Sequence, residues 1–479
     1  MNSMTVARLQ GAWSQLDLFD PVSARPEING EGGTRSVAFE EPQAVTAFAK
    51  QRALTTGDLM ERIVSSANLQ EAYKRVKANK GASGVDGMTI TELKTWLSHH
   101  REALIASLLD GSYTPSPILG IEIPKPGGGV RQLGIPTVLD RLVQQAILQV
   151  LQAILDPSFS ASSFGFRPGR GAHEALLQAQ AYVAEGYKVV VDLDLEKFFD
   201  TVNHDILMSR LARRIGDKRL LKLIRRFLAA GMMSGGLDVK RYQGTPQGGP
   251  LSPLLANLLL DDLDKELEKR GHRFCRYADD CNIYVGSQQA GERVMASITS
   301  FLEGKLKLRI NRAKSAVALC HERSFLGYRL LSGGRLSIAA KSLERVKAKL
   351  KQITRRNRGI PLERMIAEVN AFAQGWVTYF RLAQCRGHLQ SLDEWLRRRL
   401  RCFRLKQTKR IIPRVKFLMA QGVCKGRAWL AASSKGWWRL ADCPPVKEAM
   451  PNAWFEDQGF KPLKQVYLSL QTLENRRGT

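Results

Sequence analysis

Two short segments of the sequence end in carboxylates, and their residue types and spacing are suited to holding metal ions. Residues 188–195 alternate so that Asp192 and Asp194 share one face of a predicted strand, with mainly apolar residues on the other face. Residues 273–285 form two β-prone runs that meet at Asp279-Asp280, which predicts a hairpin with adjacent carboxylates at its turn. If both strand ends lie in one sheet, their oxygens can hold two Mg²⁺ ions about 3.5–4 Å apart for in-line phosphoryl transfer.

The segments around these carboxylates decide how they are interpreted, because an Asp-Asp pair at a turn is by itself as readily an ordinary polar turn. A rigid loop rich in glycine and proline covers residues 244–253 and leads into a helix predicted over 254–270. Such loops let a main chain approach a nucleobase closely. Upstream, residues 121–124 and 130–135 predict a strand hairpin with a basic rim.

The charge of the chain predicts a polyanionic partner. The 479 residues include 73 Lys and Arg against 45 Asp and Glu, a formal net charge of +28. Residues 335–479 hold 31 basic and 10 acidic side chains, whereas residues 1–57 hold five and six. Because an excess of this size repels itself, the C-terminal part is expected to bind something negatively charged.

Composition also narrows the class of protein. No apolar run approaches the roughly 18 residues that a membrane span needs, and the first thirty residues lack the apolar core of a secretory signal. The seven cysteines form no C-x-x-C pair, which indicates reduced thiols rather than disulfides or a zinc site. We expect a soluble, cytoplasmic protein with no membrane partner.

Five motifs in order resemble the palm blocks of reverse transcriptases. They are Leu193-Asp194-Leu195-Glu196-Lys197-Phe198-Phe199-Asp200, Pro246-Gln247-Gly248, Tyr277-Ala278-Asp279-Asp280, the segment 306–314 and Phe325-Leu326-Gly327-Tyr328. Three further segments are similar to those of bacterial group II intron-encoded proteins, whose thumb doubles as a maturase: Gly165-Phe166-Arg167-Pro168-Gly169-Arg170, residues 246–253 and Gly375-Trp376-Val377-Thr378-Tyr379-Phe380-Arg381. The resemblance covers about residues 58–410.

This resemblance implies an α/β (α+β) right-hand polymerase with fingers, an antiparallel palm sheet and a helical thumb. It divides the chain into an extension over 1–57, fingers and palm over 58–334, a thumb or maturase bundle over 335–410, and a basic, Trp-rich tail over 411–479. The tail lacks the His and paired Cys of a metal-dependent nuclease, so that domain is expected to be absent. Its tryptophans suit either nucleic-acid contact or a small core.

The resemblance also assigns the metal site. It places Asp194, Asp279 and Asp280 in the catalytic, metal-binding triad and adds Leu195 to the set that holds two Mg²⁺ ions. Asp192 is the competing choice for the first position, because it shares the face of Asp194.

Substrate contacts follow from the same resemblance. Lys125 and Arg131 resemble finger residues that grip the incoming triphosphate, and Phe199 resembles the aromatic gate beneath the sugar. Gln247 would contact the nascent base pair or the template. Lys314 would protonate the departing pyrophosphate, although an ordinary exposed lysine fits its position nearly as well.

In the thumb, three amphipathic helices are predicted, the third of them opening with a capping box at residues 391–394. It carries four arginines that we predict to bind nucleic acid, the alternative being a solvated helix face: Arg397, Arg398, Arg399 and Arg401.

The function implied is RNA-directed DNA synthesis by a group II intron protein that binds its structured intron RNA, assists splicing and uses dNTPs on an RNA template at a DNA primer or target. A domesticated relative in phage defence, repair or spacer acquisition is an alternative within the enzymes. A splicing-only RNA-binding protein is another alternative, and a homodimer remains open.

Overall fold

The computed structural model describes residues 58–124, 128, 130–234, 237–239, 242–246, 248–434 and 436–477. The extension 1–57, Lys125 and Gln247 lie outside these residues. Two compact units are present, and their described parts lie within Glu27–Arg323 and Ser324–Thr479.

The first unit surrounds its strands with helices. Its helices are α1 (Leu59–Val64), α2 (Ser66–Ala78), α3 (Ile90–Leu109), α4 (Val138–Leu155), α5 (Ala172–Ala184), α6 (Phe198–Thr201), α7 (His204–Ala212), α8 (Lys218–Ala229), α9 (Ser252–Lys269) and α10 (Gln288–Phe301). Its strands are β1 (Ile118–Pro124), β2 (Val130–Ile135), β3 (Val189–Leu193), β4 (Met232–Ser234), β5 (Leu237–Val239), β6 (Arg273–Tyr277), β7 (Asp280–Val285) and β8 (Ala316–Leu319).

The carboxylate-bearing strands belong to one four-stranded antiparallel sheet with the order β6-β7-β3-β8. Strand β3 is an inner strand, paired with both β7 and β8, and its apolar residues Val189, Val191 and Leu193 are buried. The predicted strand is therefore confirmed, but the alternation is incomplete, because Val190, on the face of Asp192, is buried as well. One boundary differs from the prediction: the tight turn is Ala278-Asp279, and Asp280 is already the first residue of β7.

The predicted upstream hairpin is confirmed as β1 and β2, which pair antiparallel from Leu119–Ile135 to Pro124–Val130. Strand β1 also pairs in parallel with β4, which continues into β5, so a second sheet has the order β2-β1-β4-β5.

Helix α4 corrects one expectation about apolar segments. It is long and apolar enough to pass as a membrane span by length and composition, although two-thirds of the qualifying window is buried inside the protein. Its buried residues include Leu142, Val143 and Ile147, which pack in the main core with α1, α2 and α9. A buried core helix explains the hydropathy.

The second unit is mainly helical. It begins with a hairpin of β9 (Tyr328–Leu330) and β10 (Leu336–Ile338). The helices that follow are α11 (Ala340–Ile353), α12 (Leu362–Tyr379), α13 (Arg386–Gln407), α14 (Ile411–Ala420), α15 (Lys425–Ala432), α16 (Trp437–Leu440), α17 (Pro444–Ala449), α18 (Asn452–Asp457) and α19 (Leu463–Arg477).

The predicted capping box at residues 391–394 is wrong, because α13 begins at Arg386 and these residues are interior to it. The buried Asp393 carboxylate instead accepts hydrogen bonds from the main-chain nitrogens of Leu463 (2.8 Å) and Lys464 (3.0 Å). These are unpaired donors of the first turn of α19, so the aspartate caps a helix 70 residues away. The helices beyond Ile411 thus fold against α13.

Candidate active site

The register of the palm sheet places the end of β3 beside the start of β7. Leu193 pairs with Cys281, and Asp192 pairs with Asn282. Continuing one residue along each strand brings Asp194 opposite Asp280. The two predicted carboxylate segments therefore meet at the same edge of the sheet, as the sequence indicated.

The turn that carries Asp279 is held by close main-chain packing. Ala278 has a φ of 57°, which is the left-handed region that residues with a Cβ rarely adopt. Against it lies Gly165, where an added Cβ would stand 2.4 Å from the Ala278 nitrogen. The Gly165 carbonyl accepts a hydrogen bond of 2.9 Å from the side chain of Asn257 in α9.

A fully buried arginine completes this support. Arg276 donates to both carboxylate oxygens of Asp264 at 2.7 and 2.6 Å. It also donates to the Ala278 carbonyl, the Asn257 amide oxygen and the Ser163 hydroxyl, at 2.8 to 3.0 Å. The Asp264 carboxylate compensates the buried positive charge of Arg276. The bonds to the Ala278 carbonyl and to Asn257 fix the turn to α9.

The loop before β8 encloses the end of β3. The Asn311 nitrogen donates to the Asp194 carbonyl at 2.8 Å, and the Asp194 nitrogen donates to the Ser315 hydroxyl at 2.9 Å. Lys314 is exposed, and its ammonium group lies 3.2 Å from the Asp194 carboxylate. The structure thus brings Lys314 to the predicted site.

The competing aspartate has a different partner. Asp192 forms an ion pair of 2.6 Å with Arg323, so its carboxylate is already compensated. Asp194 has a cationic partner as well, so the two aspartates differ in the kind of partner: a guanidinium at 2.6 Å for Asp192 and the exposed Lys314 ammonium group at 3.2 Å for Asp194.

Unbalanced negative charge indicates that the donor set fits a cation. Burial, with the neighbouring charges of Asp279, Asp192 and Asp194, raises the pKa of Asp280 to about 7. Among the described residues, no group of three or more His, Cys, Asp or Glu side chains is already gathered closely enough to hold a metal.

Leu195 can contribute its carbonyl oxygen to such a site. The main-chain groups of Asp194 point toward residues 311–315, and successive residues of an extended strand direct theirs to opposite sides. The Leu195 carbonyl is therefore directed toward the β7 side, where Asp280 lies.

The predicted sugar gate lies next to the triad strand. Phe199 is half-buried, with its ring 5.2 Å from that of Phe198 in an edge-on arrangement. Its carbonyl accepts a hydrogen bond of 2.7 Å from the Thr245 nitrogen, which connects it to the Gly/Pro-rich loop. Gly244 has a φ of 87°, and a Cβ there would stand 2.9 Å from the Phe199 carbonyl oxygen, so this loop needs glycine.

The finger residues are only partly described. Arg131 pairs with Ile123 through the β-ladder, but the position of its side chain is outside the described part of the chain.

The basic run of α13 is engaged inside the second unit. Arg401 is 7% exposed and donates twice to the Met450 carbonyl. Arg398 donates to the Trp438 carbonyl and lies over that indole ring at 4.1 Å, and Arg399 donates to Thr354. Arg397 is half-exposed. Three of the four predicted nucleic-acid contacts thus have a structural role in holding the bundle and tail together.

Sequence reasoning missed several residues that shape the site: Gly165, Arg276, Asn311, Ser315 and Arg323. Arg276 stands three residues before Asp279, a position whose alternation predicts a buried side chain, and a buried arginine needs an acidic partner. Gly165 and Asn311 lie inside segments that the resemblance singled out, but they were given no role. Ser315 and Arg323 carry no local signal, because their partners are distant in sequence.

An antiparallel sheet that brings a carboxylate-tipped strand against a carboxylate-bearing hairpin is the palm of a nucleotidyl-transferring polymerase. Residues 123–330 match the family described as reverse transcriptase (RNA-dependent DNA polymerase), and residues 343–422 match the group II intron, maturase-specific domain. The chain belongs to the reverse transcriptase family and carries the maturase-specific domain of group II intron proteins.

The chain is similar in sequence to several individual proteins. Protein YkfC of Escherichia coli (strain K12) is 33% identical over 314 residues, which cover 57% of this chain and 82% of that protein. The group II intron-encoded protein LtrA of Lactococcus lactis subsp. cremoris is 30% identical over 323 residues, covering 54% of each chain. The chain thus spans about half the length of LtrA. A chain of the partial Cas6-RT-Cas1–Cas2 complex is 27% identical, with a TM-score of 0.34, over 52% of this chain and 43% of that chain.

Proposed function

We propose that this protein polymerises DNA on an RNA template, with Asp194, Asp279 and Asp280 as the carboxylates that hold two Mg²⁺ ions. The observation that carries the proposal is the register of β3 against β7, whose last pair is Leu193 with Cys281, the residues adjacent in sequence to Asp194 and Asp280. The raised pKa of Asp280 supports it, because a carboxylate surrounded by others gains most from a cation. The carbonyl of Leu195 is suitably directed to serve as a fourth ligand.

When bound, the two ions activate the primer 3′-hydroxyl and stabilise the charge that develops on the leaving pyrophosphate. The primer 3′-hydroxyl would release its proton to solvent, its oxygen would bond to the α-phosphorus of a dNTP, and the bond from that phosphorus to the bridging oxygen would break. The Lys314 ammonium group, 3.2 Å from Asp194, can donate its proton to that oxygen. Phe199 lies beneath the sugar and leaves no room for a 2′-hydroxyl. Lys125 and Arg131 hold the triphosphate, and Gln247 contacts the nascent base pair or template.

The second function is binding of a structured intron RNA that the protein helps to splice. The match of residues 343–422 to the maturase-specific domain and the charge excess beyond Arg335 support this role. The ribozyme would supply the splicing chemistry, so RNA binding and DNA synthesis should be separable. A splicing-only protein is disfavoured, because the carboxylate triad and its supporting contacts are intact.

Primer extension on an RNA template tests the polymerase. With Mg²⁺ and dNTPs, the protein should extend a DNA primer, and EDTA should abolish extension. Replacing Asp279 by Asn keeps the side-chain size but removes the negative charge, so extension should fall by at least about 10³-fold while the melting temperature stays the same. An inactive wild-type protein that still bound and spliced intron RNA would instead establish the splicing-only alternative.

A further inference from the structure

Arg323 touches two parts of the active site at once. Its Nε donates to the Asp192 Oδ2 atom at 2.8 Å, and its Nη2 lies 2.6 Å from the same oxygen. The same Nη2 also donates to the main-chain carbonyl of Lys314. One planar guanidinium therefore bridges the central palm strand and the loop before β8.

The carboxylate that it binds lies where it could compete for a cation. Asp192 and Asp194 share one face of β3, and alternate residues of a strand are about 6.6 Å apart. Asp192 is in register with Asn282 and Ala316, so both its neighbouring strands are fixed. Without Arg323, Asp192 would be a further carboxylate within reach of metal ions meant for the triad.

The second contact of Arg323, with the Lys314 carbonyl, holds the main chain of that lysine. The Lys314 side chain is exposed, and its ammonium group is located by the Asp194 carboxylate at 3.2 Å. The bond from Arg323 to the Lys314 carbonyl, together with the Ser315 and Asn311 bonds to the Asp194 main chain, fixes the loop from which that side chain extends. When a substrate or metal draws Asp194 away from the ammonium group, the main-chain contact still keeps Lys314 in place.

We propose that Arg323 is a positioning residue: it withdraws Asp192 from the metal site and tethers the loop that presents Lys314. The proposal rests on the proposed polymerase function. Arg323 itself touches neither the substrate nor the reacting atoms, so its removal should alter metal binding and the rate of the chemical step while the fold persists.

Three variants separate the two roles. Arg323→Gln removes both contacts, Asp192→Asn removes only the competing charge, and the double variant removes both the charge and the tether. Arg210→Gln is the matched control, because Arg210 forms an ion pair of 2.8 Å with Asp262 in the same unit, with comparable exposure of both side chains.

Three measurements are made on each full-length variant. Pre-steady-state incorporation of one dNTP on an RNA template gives the maximal rate and the apparent dNTP Kd. Electron paramagnetic resonance of free Mn²⁺ gives metal affinity without reference to activity. Melting temperatures report the fold.

Arg323→Gln should lower the maximal rate by about 10- to 100-fold with little change in dNTP Kd, as expected for a displaced catalytic group. It should also bind Mn²⁺ several-fold more tightly, or bind one ion more, because Asp192 is released. Asp192→Asn should keep the wild-type rate within about threefold, because Arg323 still tethers Lys314. The double variant should lose the extra Mn²⁺ affinity and remain slow.

Other outcomes overturn the proposal. A wild-type rate in Arg323→Gln, or a restored rate in the double variant, would contradict the role of Arg323 in tethering the loop. An unchanged Mn²⁺ affinity in Arg323→Gln would contradict the proposal that Asp192 competes for the metal. If Arg323→Gln lowers both the melting temperature and the maximal rate, and Arg210→Gln lowers both to the same extent, the loss of rate comes from a weakened fold and the proposal is wrong. If the wild-type protein incorporates no dNTP, the proposed function fails, whereas the Mn²⁺ comparison still tests Arg323.

Discussion

Gly165 lies so close to Ala278 that a Cβ added to the glycine would stand 2.4 Å from the Ala278 main-chain nitrogen. The next nearest atom, the Tyr277 carbonyl carbon, would be 3.0 Å away. Both neighbours are main-chain atoms of the turn that carries Asp279, and they cannot move aside as a flexible side chain would. This contact determines how closely the catalytic turn packs against Gly165, whose carbonyl is held by Asn257 of α9.

Gly165→Ala should therefore displace the catalytic turn. We expect the free energy of unfolding to fall by about 1–3 kcal/mol, as overpacking in a core does. Primer extension should fall by about 10²-fold, because a small misplacement of catalytic groups has a large effect on rate. Gly286→Ala is the control, since a Cβ there would meet nothing within 4 Å and should leave both quantities unchanged. A Gly165→Ala protein with wild-type extension would contradict the importance of this contact.

Phe199 should exclude ribonucleotides, because a ring packed beneath the sugar leaves no room for a 2′-hydroxyl. Phe199→Val should raise the ratio of rNTP to dNTP incorporation by about 10-fold or more, measured as the ratio of the two kcat/KM values. The dNTP reaction serves as the internal control. An unchanged ratio would assign the ring to the protein core instead.

The sequence predicted those features that depend on local pattern and on resemblance. Alternation over residues 188–195 predicted β3, and the motif order predicted that its end would meet the β6–β7 hairpin. The contact of Arg323 with Asp192 spans 131 positions and leaves no local pattern, so it could not be predicted. The wrong capping box at residues 391–394 has a related cause: Asp393, inside the predicted box, does cap a helix, but that helix is contributed by the tail.

We expect Arg401, in the basic run of α13, to stabilise the fold. Arg401→Gln removes the two bonds to the buried Met450 carbonyl and the packing of the guanidinium over Phe455 at 5.3 Å. An unsatisfied buried carbonyl costs about 1–3 kcal/mol, so the melting temperature should fall. Chemical denaturation measures this directly. A variant with unchanged stability and weakened RNA binding would show instead that Arg401 contacts nucleic acid.

RNA affinity should instead depend on exposed cations of α11 and the turn after it. Lys347, Lys349 and Arg356 are exposed, so reversing their charge should leave the fold intact. Each lost phosphate contact should reduce the slope of log affinity against log salt concentration by about 1. Binding of intron RNA across a salt series measures both quantities. Unchanged affinity and slope would direct the search to other surfaces, first to the hairpin of β1 and β2.

The measurement that tests the account most directly compares two aspartates of one strand. Asp194→Asn and Asp192→Asn change the same atoms, two residues apart, on the same face of β3. In single-turnover primer extension on an RNA template with saturating Mg²⁺, we predict that Asp194→Asn loses at least about 10³-fold in rate, whereas Asp192→Asn stays within about threefold of wild type. Extension by a folded Asp194→Asn protein at the wild-type rate, with loss of activity in Asp192→Asn, would contradict the assignment of the catalytic triad.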